Sequence, residues 1–179
     1  FILFLDDCLL HSFDFKLGHK KINLSKKDYF NSLDIFFNKL ESQFNMPVII
    51  AAHPNGLEYK NYEELFTHRK VIFNKSLALS KNCFFAMTHY SLSIHYPIYF
   101  KKQVIFLELN ELSDDIKSLQ KNYTKSLGSK IYNIQESSSK VILKKVNHKK
   151  YNKFINSYLN NPTIKILHQY SPLISYFKS

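Results

Sequence analysis

Short apolar runs that alternate with amphipathic stretches constrain the fold of this chain more than any other feature. Each run ends in polar residues, which is typical of a buried parallel strand. The five clearest runs are Phe1–Leu5, Pro47–Ala52, Lys70–Phe73, Cys83–Met87 and Gln103–Leu107. The alternation predicts an α/β fold, a Rossmann-like doubly wound parallel sheet in one domain. We expect residues 1–160 to form this domain and residues 161–179 to form a C-terminal tail or helix.

The most regular helical pattern follows Ser25, a typical N-cap with Asp28 as its capping-box acid. Apolar residues recur at helical spacing from Tyr29 to Phe44, which predicts an amphipathic helix packed on the sheet. Other predicted helices lie at 62–66, after an N-cap at Ser76, after Ser91 or Ser93, at 113–127 with Gly128 as C-cap, and at 148–159. Residues 131–134 and 141–143 predict short strands, and 11–24 a loop.

Composition excludes several classes of function. The formal net charge is +11, but only Arg69 among the 25 basic residues is an arginine, which argues against nucleic-acid binding. Two cysteines without a C-x-x-C pattern indicate neither a disulfide scaffold nor a metal site. No apolar run approaches the roughly eighteen residues that span a bilayer. The chain begins inside a strand-like run at Phe1, so we expect it to be part of a longer protein.

Glycine-rich phosphate loops are absent from the sequence. The chain has three glycines, and neither G-x-G-x-x-G nor G-x-x-x-x-G-K-[ST] occurs. The sequence therefore argues against dinucleotide oxidoreductases and P-loop phosphotransferases.

Two polar clusters follow predicted strands and are expected to meet at one edge of the sheet. In the first, Pro54 stiffens the backbone beside His53, whose imidazole could donate to a phosphate oxygen. The alternative is a histidine that only satisfies loop backbone. Asp6 and Asp7 end the first strand and could supply a general base, with Asp7 the candidate, or could cap a turn.

The second cluster is Thr88–Ser93. Ser91 and Ser93 precede a predicted helix, where free N–H groups favour an anion, although one serine could serve only as N-cap. His89 could be a second phosphate donor or a packed strand-end residue.

Further candidates lie at two other strand ends. Lys75 and Ser76 would add a cation and a hydroxyl to the phosphate site, although Lys75 could equally be an ordinary surface lysine. Glu108, Asn110 and Glu111 could accept hydrogen bonds from a ribose or a base, or Glu111 could be a first-turn helix acid.

With these residues in view, the chain resembles the C-terminal half of bacterial surface-polysaccharide glycosyltransferases of the GT-B fold. It is similar to the sialyl-, polysialyl- and Kdo-transferases that use CMP-activated sugars, and more distantly to CDP-glycerol transferases. The segments that carry the resemblance are Val48–Pro54, Asn74–Ser76, Thr88–Ile94, Lys101–Leu107 and Asn110–Leu112. In that group a His-Pro motif and a serine pair bind the nucleotide phosphate, which implies this role for His53, Pro54, Ser91 and Ser93.

This sequence departs from the family pattern at several positions. Cys8 stands where the family has a glycine after its acidic pair, and Gln103 where it has a proline. Tyr90 and Leu92 replace small or hydroxylated residues.

The resemblance implies a metal-independent transferase that needs no cofactor and uses a CMP-sugar as donor. The acceptor would be a capsule or lipopolysaccharide glycan or glycolipid, and a preceding acceptor-binding domain would complete the enzyme. We expect a cytoplasmic location with peripheral contact to an anionic membrane. The alternatives are a catalytically inactive Rossmann-like interaction module of envelope assembly and a CDP-polyol phosphotransferase.

Overall fold

Six parallel strands form the centre of the protein. The computed structural model describes residues 1–9, 24–136 and 140–159. The strands are β1 (Ile2–Leu5), β2 (Val48–Ala52), β3 (Val71–Phe73), β4 (Phe85–Thr88), β5 (Gln103–Glu108) and β6 (Lys130–Asn133). They lie in the order β3-β2-β1-β4-β5-β6, and every pairing is parallel. The predicted Rossmann-like α/β fold is confirmed.

Helices connect these strands. The α-helices are α1 (Lys26–Phe44), α2 (Ser76–Asn82), α3 (His95–Tyr99), α4 (Asp114–Leu127) and α5 (His148–Phe154). A π-helical turn, Ile155–Leu159, follows α5, and 3-10 helices occupy Pro54–Glu58, Tyr62–Phe66 and Leu92–Ile94. Within the described ranges, no helix combines the length and hydrophobicity needed to cross a bilayer.

The apolar core lies on both faces of the sheet. Alternate residues of β1 point in opposite directions, so that Ile2 and Phe4 join the core under α1. Leu3 and Leu5 join the second core, to which α3 and α5 contribute. All four side chains are at most 1% exposed, and burial of each contributes about 1.5 to 3 kcal/mol. The continuous apolar runs in the sequence therefore follow from burial on two sides.

Local capping signals locate most of the helix ends. Ser25 accepts a hydrogen bond from the backbone N–H of Asp28, and Ser113 accepts one from that of Ile116. Gly128 ends α4 with a φ of 75°, as its prediction as a C-cap requires. The prediction for Ser76 is wrong, because Lys75 is the N-cap of α2 and Ser76 is its first residue.

The strand predicted at 141–143 is also wrong. Val141 pairs with a side chain instead of another strand, since its N–H and C=O bond to the amide group of Gln43 at 3.0 and 2.7 Å. In the same way, Tyr132 Oη bonds to both the N–H and the C=O of Ile142. The side chains of Gln43 and Tyr132 thus bind the backbone groups that a neighbouring strand would otherwise pair with. Apart from Leu24, the loop predicted at 11–24 lies outside the described residues, as does the tail at 161–179.

The order of the strands reverses at β1. The chain moves from β1 outward to β2 and β3, then returns to place β4 on the other side of β1. In an open parallel sheet, ligands bind at the carboxyl ends of the strands beside such a reversal. A binding site is therefore expected in the crevice between the carboxyl ends of β1 and β4.

Arg69, the single arginine, fixes the connection between β2 and β3 to α1. Its side chain is 1% exposed, donates to Asp34, and reaches Asn38 and Glu41 at 2.7 and 2.8 Å. The guanidinium also lies 5.2 Å from the centre of the Phe37 ring. This planar fork satisfies three acceptors at once, which a lysine ammonium cannot do in the same geometry.

We expect Arg69→Lys to lower the free energy of unfolding by about 3 kcal/mol, because it breaks a buried ion-pair network. Urea denaturation monitored by circular dichroism measures this change. Lys70→Gln is the matched control, since Lys70 is exposed and its loss should change stability by less than about 0.5 kcal/mol. Equal effects of the two substitutions would contradict the role of Arg69.

Candidate functional site

Two adjacent aspartates at the carboxyl end of β1 organise the crevice. Asp6 and Asp7 are each 4% exposed, and each binds the loop after a different neighbouring strand. Asp6 binds the segment after β2, accepting hydrogen bonds from the backbone N–H of His53 at 3.1 Å and from Tyr62 Oη at 2.6 Å. Its second oxygen accepts from the N–H of Cys8 at 2.9 Å. Asp6 therefore fixes the backbone that carries His53.

Asp7 binds the end of β4 and the loop after it in the same way. It accepts from Thr88 Oγ1 at 3.0 Å and from the N–H groups of His89 and Tyr90 at 2.9 and 3.3 Å. Thr88 Oγ1 in turn accepts from the N–H of Ser91 at 3.0 Å. Asp7 thus holds the loop that carries Ser91. The preceding residue, Asp6, holds the loop that carries His53.

Burial raises the pKa of both carboxyl groups. The pKa of Asp7 is raised to about 8 by burial and by the adjacent charge of Asp6, against the hydrogen bonds from His89, Thr88 and Tyr90. That of Asp6 is also raised, mainly by burial. The structure gives Asp7 a positioning role, and its role as a general base stays a prediction.

Cys8 follows the acidic pair Asp6 and Asp7, at the position where the family pattern has a glycine. Its φ is 51°, in the left-handed region that costs a residue with a side chain about 1 kcal/mol or more. The thiol is only 2% exposed and packs in the core under α1, which offsets part of this cost. The turn after Asp7 therefore has the conformation that glycine favours, although this chain has a cysteine there.

The His53 imidazole is half-buried at the end of β2. Its Nδ1 accepts from the N–H of Asn55 at 3.2 Å and so caps the 3-10 helix that begins at Pro54. This bond selects the neutral tautomer with the proton on Nε2, which can donate to an anionic oxygen. The two interpretations of His53 are thus compatible, because one nitrogen satisfies the loop and the other remains a donor.

The loop that carries Ser91 and Ser93 offers an anion fewer hydrogen-bond donors than the sequence predicts. Ser91 is the N-cap of the 3-10 helix Leu92–Ile94, and its Oγ accepts from the N–H of Ser93 at 3.3 Å. The Ser91 N–H is also used, by Thr88. Both serine side chains are half-buried, so their hydroxyl protons are the donors that this loop can offer.

Lys75 and Ser76 follow the carboxyl end of β3, one strand beyond His53 in the sheet. Lys75 is exposed, whereas Ser76 is half-buried. The structure therefore places this cation at the same edge of the sheet as His53 and Ser91.

The prediction of His89 as a phosphate donor is wrong. The side chain is 0% exposed, Nδ1 lies 2.8 Å from the Leu107 carbonyl, and Nε2 lies 3.2 Å from Tyr29 Oη. A carbonyl only accepts, so Nδ1 carries the proton and Nε2 accepts from the tyrosine. Gln120 adds a bond from its Nε2 to the His89 carbonyl at 2.9 Å. His89 is the packed strand-end residue of the alternative interpretation.

The acidic and amide groups at the end of β5 belong to a network that reaches β6. Gln135 accepts from the N–H of Asn110 and donates to Glu111 at 2.8 and 2.9 Å. Asn133 donates to the side chain of Asn110, and Lys117 Nζ lies 4.0 Å from Glu108. These bonds bring the predicted ribose or base acceptors together and orient them. They leave unused carboxylate lone pairs on Glu108 and Glu111.

Sequence reasoning missed Tyr62 and Gln135. A Cβ at Gly56 would lie 2.7 Å from the Tyr62 ring, so glycine here allows the ring to reach Asp6. The glycine in Asn55–Gly56 could have indicated such a close approach. No comparable signal marks Gln135. Among the described residues, no cluster of three or more histidine, cysteine, aspartate or glutamate residues could hold a metal ion.

The buried His89 predicts a pH-dependent contribution to stability. Burial lowers its pKa to about 4 from 6.5, so the folded state keeps it neutral. A lowered pKa contributes stability above pH 6.5 that is lost as the pH falls towards 4. We expect wild type to lose about 3 kcal/mol relative to His89→Gln across this interval, measured by urea denaturation.

The aspartates titrate in both proteins, so their raised pKa values, which act in the opposite direction, cancel in this difference. The matched control is His68→Gln, which removes a histidine whose side chain is 70% exposed instead of one in the core. A difference between wild type and His89→Gln that stays constant with pH would contradict the neutral buried imidazole.

Comparison with known proteins does not assign a family. No family model matches the chain, and no curated protein matches it. The chain is similar to a solved structure, the UDP-GlcNAc 2-epimerase of Methanocaldococcus jannaschii in complex with UDP-GlcNAc and UDP. The identity is 13% and the TM-score 0.47, over 87% of this chain and 44% of that chain. The resemblance to CMP-sugar transferases therefore stays a prediction.

Proposed function

We propose that this domain binds the phosphate of a nucleotide sugar in the crevice between the ends of β1 and β4. The observation that supports the proposal is the pair Asp6 and Asp7. These two residues fix the loops of His53 and Ser91 at the same edge of the sheet. Loops that are held in this way need little reorganisation when a ligand binds, which favours affinity.

The finer proposal is the donor-binding domain of a metal-independent glycosyltransferase that uses a CMP-sugar. As the bond between sugar and phosphate breaks, negative charge develops on the departing CMP. His53 would donate from Nε2 to a phosphate oxygen, Lys75 would contribute a mobile cation, and Ser91 and Ser93 would donate from their hydroxyls. The proton of the acceptor hydroxyl would go to a general base, for which Asp7 is the candidate.

Recognition of the nucleoside would come from the network at β5 and β6. Glu108 and Glu111 offer acceptors for ribose hydroxyls or a cytosine amino group, and Gln135 holds Glu111 in place. The acceptor would be a cell-surface glycan or glycolipid on the cytoplasmic side of the membrane. A second domain across the crevice would complete the active site.

A second candidate function is an inactive interaction module of envelope assembly. The burial of Asp7 and the use of the Ser91 and Ser93 N–H groups within their own loop favour it. A CDP-polyol phosphotransferase would use the same crevice but would prefer CDP over CMP.

Calorimetric titration with CMP, CDP and UMP tests the proposal. We expect CMP to bind, and we expect His53→Ala to weaken this binding by about tenfold or more, since it removes a hydrogen bond to a charged group. His68→Ala is the matched control, because it removes an exposed imidazole that precedes the amino end of β3, whereas the crevice lies at the carboxyl ends of the strands. Circular dichroism of each variant checks that it is folded.

Absence of heat with all three nucleotides at millimolar concentration would overturn the proposal and favour the interaction module. Equal weakening by His53→Ala and His68→Ala would remove the role of His53. Tighter binding of CDP than of CMP would favour the phosphotransferase.

A further inference from the structure

An aromatic cleft lies between α4, α5 and the π-helical turn. Its volume is about 360 Å³, within the range of ligand pockets. The rings of Tyr123, Phe154 and Tyr158 line it, with centres 5.7 and 4.8 Å apart along the series. Leu119 and Leu159 form its aliphatic walls. Leu119 and Tyr158 are 40% and 53% exposed, so the cleft opens an apolar surface to solvent.

The cleft has no lining residue in common with the candidate groups of the crevice, although His95, which lies two residues after Ser93, also lines it. Helix α4 starts after the carboxyl end of β5 and ends where β6 begins. Its residues in the cleft, Leu119, Asn122, Tyr123 and Ser126, lie beyond the first turn of the helix, on the way to the amino end of β6. The proposed nucleotide site therefore does not account for this surface.

A basic cavity adjoins the cleft. It has a volume of about 320 Å³ and shares Ser126, Phe154 and Tyr158 with the cleft. Its other lining residues are Lys125, Lys150, Lys153 and Ser157. Lys150 Nζ donates to the Lys125 carbonyl at 2.9 Å, which places its charge at the end of α4. No carboxylate is among the described residues that line either cavity.

The segments that contribute most of the lining of these two cavities are rich in lysine. Residues 116–135 contain four lysines and residues 140–159 contain six, and neither range contains an aspartate or glutamate. The net charge of the whole chain is +11. The basic cavity takes Lys125, Lys150 and Lys153 from these segments, so uncompensated positive charge adjoins an open apolar cleft.

We propose that this surface docks the domain on an anionic membrane. The cleft receives an acyl chain of an anionic phospholipid, and Lys125 and Lys153 contact its phosphate. Each lysine near an anionic surface contributes about 1 kcal/mol, and each buried methylene about 0.8 kcal/mol. Lysine heads on flexible stems suit a fluid lipid surface, whereas a nucleic-acid site would favour arginine forks. The proposal does not depend on nucleotide binding.

Sedimentation with lipid vesicles tests the contribution of the lysines. We expect the protein to bind vesicles of phosphatidylcholine mixed with phosphatidylglycerol, and to stay in solution with phosphatidylcholine alone. Lys125→Glu with Lys153→Glu should weaken binding by about tenfold or more. Lys60→Glu with Lys70→Glu is the matched control, since it changes the net charge equally at exposed positions of the β3 side.

Fluorescence tests the cleft itself. The chain has no tryptophan, so Tyr158→Trp introduces a single fluorophore at its mouth. We expect brominated acyl chains in phosphatidylglycerol-containing vesicles to quench it. The control Leu57→Trp places the fluorophore at a position that is 63% exposed in the loop after β2, where the same vesicles should not quench it.

Several outcomes would overturn the proposal. They are absence of binding to phosphatidylglycerol vesicles, equal weakening by the two lysine pairs, and equal quenching at the two tryptophan positions. Tighter binding to single-stranded RNA than to these vesicles at the same salt concentration, lost in Lys125→Glu with Lys153→Glu, would assign the surface to nucleic acid instead.

Discussion

The hydrogen bonds to Asp6 and Asp7 are the interactions on which the crevice depends. Beyond the carboxyl end of a central strand the backbone is no longer paired with the two neighbouring strands, so side chains must hold the loops that follow those strands. In this protein two consecutive carboxylates do so, one for each neighbour. Because they are buried, removing either one would leave several donors without a partner, at a cost of about 1 to 3 kcal/mol for each donor. The geometry of the crevice and the stability of the sheet are therefore coupled.

The fold could be predicted from the sequence because its main signals are local. Burial of β1 on two faces requires a continuous apolar run, and Ser25, Ser113 and Gly128 mark helix ends through bonds that span a few residues. The failure at 141–143 has a different cause. Val141 is apolar enough for a strand, but its backbone pairs with Gln43, 98 residues away, and no local pattern records such a partner.

The candidate site could be predicted only in part, for a related reason. Strand ends converge in any parallel sheet, so the positions of His53 and Ser91 at one edge follow from the order of elements. The direction of a side chain does not follow from that order. His89 turns into the core because Tyr29 and the Leu107 carbonyl offer partners there, and Gln135 joins the β5 network from a turn without any distinctive motif.

The strand β3, at one edge of the sheet, is poorly suited to pairing with another copy of this protein. It is three residues long, and lysines 70 and 75 lie immediately before it and shortly after it. A strand from another chain could form few backbone hydrogen bonds with β3 and would lie close to the two lysines. In a second copy of this protein, the same positive charges would add repulsion. Lengthening of the sheet from one molecule to the next is therefore unfavourable on this side, which helps a strongly apolar parallel sheet to avoid aggregation.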